Sequence, residues 1–181
     1  MELTDEMIVC EIISGHKEQF RILVERHERA VRGLGMSFFH NPEESADFAQ
    51  EVFLKAFRNL KQFEAKSRFS TWLYRVAWTT GLNSVNRKKE FTSLADYDSE
   101  SFYPTPEGEF IREVVRNAVK KAVSELPDKF RVCIDLFFFY DRTYEEIELI
   151  TGFPVNTVKS HVFRAKKLLR EKLAVYVDEK L

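Results

Sequence analysis

The sequence is poor in the residues that break or staple a chain. Only 6 glycines and 5 prolines occur among 181 residues, so long helices are the favoured local structure. The 2 cysteines, Cys10 and Cys133, lie far apart and form no Cys-x-x-Cys pair. A disulfide framework is thereby excluded, and a reduced, cytoplasmic setting is expected. No apolar run approaches the roughly 18 residues of a membrane span. The acidic start, with Glu2, Asp5 and Glu6, lacks the charge pattern of a signal peptide. His16, His27, His40 and His161 show no metal-ligand spacing with either cysteine, and no phosphate-cradling glycine loop occurs. Nothing assembles a nucleophile, a base and an oxyanion site. No enzymatic activity, metal, cofactor or small-molecule substrate is therefore expected.

What the chain does hold is charge in blocks and 17 phenylalanines, enough for more than one compact core. A net charge of −1 conceals the blocks. Residues 61–89 carry seven Lys/Arg against one Glu, and residues 155–172 carry six against one. Between them, residues 90–113 carry seven Asp/Glu against one Arg. A single basic block is most simply a solvated helix face. Two of them flanking an acidic connector suggest two pieces that face a polyanion.

Helical periodicity divides the chain in the same way. Segments at Asp5–Ser14, Glu18 to about Phe39, about Glu43 to Leu60 and about Ser70 to Arg87 read as helices. Gly15 is a plausible C-cap of the first, Asn41-Pro42 opens the third, and Ser70 or Thr71 is expected to cap the fourth. Phe48, Val52, Phe53, Ala56, Phe57 and Leu60 line one side of the third. The stretch 91–110 is acidic, aperiodic and contains Pro104, Pro106 and Gly108, which marks a linker. Helices are expected again at Ile111–Leu126, from Asp128 to about Tyr140, at Thr143–Ile150 and from Val155 to about Leu173. The fold class is all-α: two small helical domains, 1–90 and 111–181, joined by a flexible acidic linker.

The last two helices form a motif. A short helix with a Thr143/Glu146 capping box, the turn Thr151-Gly152-Phe153 and a longer helix make the helix-turn-helix pattern. Ile147 and Ile150 are expected to pack on Val158, Val162, Ala165 and Leu169. Asn156, Thr157, Lys159, Ser160, His161, Arg164 and Lys167 are assigned to the opposite face. Short polar and cationic side chains near a helix N-terminus suit base edges and phosphates. The plain alternative is an αα-corner with a solvated face. Lys166, Arg170 and Lys172 lie further along, where they meet phosphate or nothing.

A second constellation lies on the fourth helix. At about 100° per residue, Trp72, Arg75, Thr79, Asn83 and Asn86 share one face beside the basic loop Lys66-Ser67-Arg68. One aromatic, one cation and several amides suit unstacked bases, the aromatic as a stacking platform and the amides as hydrogen-bonding groups. Trp72 could equally be a core residue.

Taken in order, these segments resemble extracytoplasmic-function sigma factors. The resemblance is carried by Asp47-x-x-Gln50-Glu51-x-Phe53, Phe69-x-Thr71-Trp72-Leu73-Tyr74-Arg75, Leu126-Pro127, Tyr144-Glu145-Glu146-Ile147 and Val155-x-Thr157-Val158-Lys159-Ser160. It covers about residues 15–90 and 111–173. It implies a promoter-specificity subunit of bacterial RNA polymerase that acts as a monomer when free. Asp47, Gln50 and Glu51 match the motif that contacts the β′ clamp helices. The loop Glu64–Arg68 matches the one that captures a flipped base of the −10 element. Lys159, Ser160, His161 and Arg164 match readers of the −35 duplex, in a domain that also meets the β flap. An anti-sigma factor is implied as the usual restraint. The chain departs from the family at Trp78-Thr79, where Arg-Asn is common, at His161 and at Asn156.

If the two promoter elements lie about 17 base pairs apart, they are separated by roughly 58 Å. A flexible 20-residue coil averages about 25 Å and reaches about 65–70 Å only when fully extended. The linker is therefore expected to be stretched in use. A stand-alone helix-turn-helix regulator is the alternative function, but it leaves residues 1–90 without a task. The run Phe137-Phe138-Phe139-Tyr140 spans about 300° of a helix and cannot all face one core. Either the surplus rings pack on neighbouring helices, or an outward Phe docks on an anti-sigma or polymerase surface.

Overall fold

The computed structural model describes residues 3–91 and 117–178. The expected linker, apart from its first residue, and the start of the helix after it lie outside the described residues. No strand occurs among the described residues, and the helices fall into two groups as the periodicity predicts. The first group is α1 (Asp5–Ile13), α2 (Phe20–Phe39), α3 (Pro42–Asn59) and α4 (Phe69–Phe91). The second is α5 (117–124), α6 (Asp128–Phe138), α7 (Tyr144–Thr151) and α8 (Val155–Asp178).

Local chemistry explains most boundaries. Thr4 caps α1 by accepting from the Met7 N–H, and Gly15 leaves the helix at a φ of 126°. Asp5 then ties α1 to α2, accepting from Arg26 at 2.8 Å and lying 2.6 Å from His27. The bond to His27 holds the Asp5 carboxyl below the usual range. The α2–α3 turn has His40 in the left-handed region, followed by Asn41, whose Oδ1 accepts from the N–H groups of Glu43 and Glu44. Pro42 occupies the first turn of α3, where its missing N–H costs nothing. Gly35 lets the two helices approach, since a Cβ there would press on Phe48 and the Ser45 backbone.

The helix α7 keeps its expected capping box: Thr143 Oγ1 accepts from Glu146 N–H, and the Glu146 carboxylate accepts from Thr143 N–H. Gly152 ends α7 at a φ of 77°.

Four expectations are corrected. The helix α4 begins at Phe69, so Ser70 and Thr71 lie inside it, and the first-turn N–H of Phe69 is satisfied by the Glu6 carboxylate of α1. The helix α6 stops at Phe138, short of Tyr140. Both α4 and α8 run several residues past their expected ends. Phe57 is not core but half-open, beside Phe20.

The two groups do not stand apart. One continuous hydrophobic cluster runs from Ile8, Leu23, Val52, Phe69 and Leu73 through Leu136, Ile147, Val158 and Val162. Its seam is formed by α7 against α4 and α6 against α2.

Candidate nucleic-acid interfaces

The outward face of α8 is set by what its inner face buries. Val158, Val162 and Ala165 are buried against α6 and α7, with Leu168 and Leu169 closing the far end on Leu126, Phe130 and Ile134. Pro154 carbonyl accepts from Thr157 and Val158 N–H groups, and the Glu148 carboxylate of α7 accepts from Val155 N–H. The first turn of α8 is thus held rigidly to its partner helix. Asn156, Lys159, Ser160, Arg164 and Lys167 are exposed and Thr157 is half-buried, as the sequence predicts.

His161 is the exception. It is 9% exposed, with rings of Phe130 and Phe153 each 5.2 Å away and Cys133 Sγ 3.7 Å from Nδ1. The assignment of His161 to the DNA-facing side is therefore corrected: it lies three residues after Val158 and four before Ala165, inside the buried stripe. Burial first, then the nearby charges of Lys129 and Arg164, lower its pKa, which keeps the ring neutral. Burial likewise pushes the Cys133 thiol up to about 12.

A residue missed at the level of sequence takes the vacated place. Phe163 is 69% exposed and falls within about 20° of Asn156, between Ser160 and Lys167 on the same stripe. The signal available in the sequence is a large aromatic at an outward helical angle.

The second site is an open cleft along α4. Lys55, Asn59, Lys66, Ser67, Trp72, Arg75, Thr79 and Asn83 line it, with Leu149 of α7 at one side. Six of the eight predicted residues are therefore together. Arg68 and Asn86 are exposed but lie off the cleft lining. Trp72 belongs to both the core packing and the cleft. Its ring packs 5.7 Å from Phe63 and 5.8 Å from Phe69, yet it also forms part of the cleft wall. Thr79 Oγ1 donates to Arg75 carbonyl at 2.9 Å, which leaves its lone pairs toward solvent. Lys66 pairs with Glu64 and Lys55 with Glu51, so part of the local positive charge is already compensated.

Trp78, one residue before Thr79, faces away from the cleft. Its ring packs on Phe38 and Phe153, and Nε1 donates to Thr151 carbonyl at 3.2 Å.

A third surface, an apolar groove between α2 and α3, is lined by Phe20, Val24, Phe53, Leu54, Phe57 and Gln50, with Lys17, Arg21 and Arg32 at its rim. Gln50 lies in this groove, whereas Asp47 and Glu51 lie outside its lining, and Glu51 pairs with Lys55 of the α4 cleft.

The aromatic run is divided by the fold. Phe137 stacks on Tyr144 at 4.9 Å and Tyr140 packs on Tyr74, while Phe138 and Phe139 are exposed. Lys166 Nζ lies 4.9 Å from the Phe138 ring centre, a cation–π contact that spends this cation on the protein itself.

Residues 23–91 match the family description Sigma-70 region 2, and residues 116–169 match Sigma-70, region 4. The chain is 32% identical to the RNA polymerase sigma-H factor of Pseudomonas aeruginosa, over 97% of its own length and 96% of that protein. It is also 32% identical to the ECF RNA polymerase sigma-E factor of Escherichia coli, over 95% of each. Among solved structures, its fold is similar to the sigma factor RpoE bound to the anti-sigma factor NepR from Bartonella quintana, with a TM-score of 0.71, 24% identity and coverage of 87% of this chain and 98% of that one. It is also similar to CnrH in complex with the cytosolic domain of CnrY, with a TM-score of 0.65, 24% identity and coverage of 98% and 99%.

Proposed function

Since the chain belongs to the extracytoplasmic-function sigma factors, the promoter-specificity subunits of bacterial RNA polymerase, we propose a division of labour among its three surfaces. The stripe on α8 reads the −35 duplex. Asn156, Ser160 and Phe163 face base edges, while Lys159, Arg164 and Lys167 flank them and meet phosphate. Phe163 supplies apolar contact, for which a thymine methyl group is the natural partner in the major groove. The cleft on α4 takes the −10 strand. Trp72 offers a ring for stacking, Asn83 and Thr79 offer hydrogen bonds, and Lys66 and Arg75 carry the backbone charge.

The observation that carries this reading is the pairing of two differently shaped polar surfaces on one chain. The convex, polar and cationic helix suits duplex DNA, and the concave cleft with an aromatic wall suits a single strand. A stand-alone helix-turn-helix regulator needs only the first, and the match of residues 23–91 to Sigma-70 region 2 sets that alternative aside.

The α2–α3 groove is assigned to the polymerase core, with Gln50 inside it and Asp47 and Glu51 on the adjoining surface of α3. Leu54 and Phe57 are exposed there, an apolar pair that a partner helix would cover. Residues 1–90 thus serve polymerase binding and −10 opening, 91–110 act as the linker, and 111–181 serve the −35 element and the β flap. An anti-sigma factor is proposed as the restraint, supported by the similar structure of a sigma factor bound to an anti-sigma factor.

Run-off transcription with core polymerase tests the reading. The chain is expected to start transcripts at specific promoters only when core enzyme is present. Leu54→Glu should abolish holoenzyme formation while leaving helix content unchanged. Tight sequence-specific binding by the isolated chain with no stimulation by core enzyme would overturn it.

A further inference from the structure

The aromatic run at the end of α6 lines neither the α4 cleft nor the α2–α3 groove, yet its first rings are ordered. Phe137 lies nearly parallel to Tyr144, with ring planes 8° apart and centres 4.9 Å apart, a separation that aromatic pairs favour. Phe138 meets Phe137 edge-on, at 5.0 Å and 83°. Two lysines of α8 rest on these rings. Lys159 Nζ lies 5.7 Å from the Tyr144 ring centre, and Lys166 Nζ lies 5.4 and 4.9 Å from those of Phe137 and Phe138. All three distances fall within the roughly 6 Å reach of a cation–π contact.

Local structure explains why these groups meet. Lys159 and Lys166 are one heptad apart, so they fall within about 20° of each other on one edge of α8. Tyr144 is the first residue of α7, where the Thr143–Glu146 capping box fixes the backbone. Phe137 stands one residue before the end of α6. Both rings are half-buried and pack on the core, while both lysines are exposed. The way Lys159 is held differs from that of the cleft lysines. Lys55 and Lys66 pair with Glu51 and Glu64, which offset the charge they restrain. A neutral ring restrains an ammonium group and leaves its charge intact. Among the described residues, no carboxylate pairs with Lys159.

We propose that the Tyr144–Phe137 stack is a platform that presets Lys159 for a phosphate of the −35 duplex, which makes Tyr144 and Phe137 positioning residues for promoter reading. The proposal rests on the reading of α8 as the −35 helix. A lysine has a flexible stem and gives up rotamer freedom when its ammonium group is fixed on a phosphate. Laid over the Tyr144 ring, Lys159 has given up part of that freedom before DNA arrives, and it keeps its full charge. Phosphate contacts set the register of a protein on the duplex, and Lys159 adjoins Ser160 on the base-facing stripe. Lys166 serves the platform from within: it holds the Phe137 and Phe138 rings to α8.

Two measurements on the full chain test this. In the proton spectrum of the wild type, the ε-methylene signals of Lys159, identified by their loss in Lys159→Ala, should be shifted upfield by the Tyr144 ring current. Anisotropy titrations on a −35 promoter duplex over a range of salt concentrations then read the effect on binding. Tyr144→Leu, which keeps apolar bulk and removes the ring, should weaken binding about threefold, the cost of ordering one lysine, at an unchanged salt slope. Tyr144→Phe, which keeps the ring, should restore wild-type binding. Lys159→Ala should lower the salt slope by about 0.9, the loss of one phosphate contact. In that background Tyr144→Leu should cost nothing further. Lys159 signals at ordinary positions, a Tyr144→Phe loss equal to that of Tyr144→Leu, or a Tyr144→Leu loss that persists without Lys159 would each overturn the platform and leave the reading of α8 standing. A Lys159→Ala variant with unchanged binding and slope would overturn both. The wild-type spectrum and Tyr144→Phe decide the matter even if Tyr144→Leu fails to fold.

Discussion

Phe163 and His161 are two residues apart on α8 and face opposite ways, so substituting each in turn separates reading from folding. Phe163→Ala removes an exposed ring and should leave stability within about 0.5 kcal/mol. It should weaken −35 duplex binding about fivefold, roughly the burial of one or two methylene equivalents, as measured by fluorescence anisotropy on a promoter duplex. His161→Ala should do the reverse, lowering the melting temperature by emptying the space between Phe130 and Phe153. The same burial gives His161 a pH signature. Its folded pKa is below the ordinary histidine value of about 6.5, so the unfolded chain binds more protons in the window just under that value. Stability is therefore full above about pH 6.5 and falls as pH drops toward the folded pKa. The groups facing the ring are Cys133, which is neutral there, and the cations Lys129 and Arg164, which add to the cost of protonation. Urea titrations between pH 7.5 and 5.5 should show a smaller pH slope for His161→Met than for wild type. The helical angle of residue 161 was legible in the sequence; its polarity drew it to the wrong face, because short apolar stripes tolerate a neutral histidine when aromatic rings surround it.

At the scale of the element, the best-specified feature is α7. Its capping box, its αL glycine and its two inward isoleucines were each visible within ten residues, and local rules of this kind are set by backbone chemistry alone. Thr143→Ala should cost about 1 kcal/mol by removing the acceptor for Glu146 N–H, read as a shift in urea midpoint at unchanged slope. Glu146 does more than cap. Burial alone would raise its pKa, but the Thr143 N–H, the Thr71 hydroxyl and the charges of Arg142 and Arg68 together bring it down. Glu146→Gln should accordingly cost more than Thr143→Ala, since it disturbs the cap and the seam at once. The start of α4 was not legible for the opposite reason. Its first N–H is satisfied by Glu6, 63 residues away, and no local pattern announces a cap supplied by another helix. Ser70 and Thr71 look like caps in sequence, but their hydroxyls serve Arg142 and Glu146 across the seam.

At the scale of the molecule, periodicity identified two helical groups and the residues that line each, but not their mutual packing. The hydrogen bonds that join them pair residues 72 to 110 positions apart, such as Ser70 with Arg142 and Ala30 with Tyr140. Complementarity across such distances leaves no periodic trace; only Gly33, an unexplained glycine within a strong helix, and Trp78, an aromatic beside a polar face, hinted at a neighbour. The shared cluster has a thermodynamic consequence. If Leu73 and Ile147 belong to one core, the halves should unfold together, whereas independent domains would melt separately. Scanning calorimetry of the wild type should give one transition whose calorimetric and van't Hoff enthalpies agree. Trp78→Ala removes a bond to Thr151 and the ring contacts with Phe38 and Phe153. It should split the trace into two transitions, the lower belonging to the small α5–α8 group, whose own buried cluster of Leu126, Phe130, Ile134 and Ala165 is the lesser of the two. A wild type that already melts in two steps would mean that the seam adds little free energy.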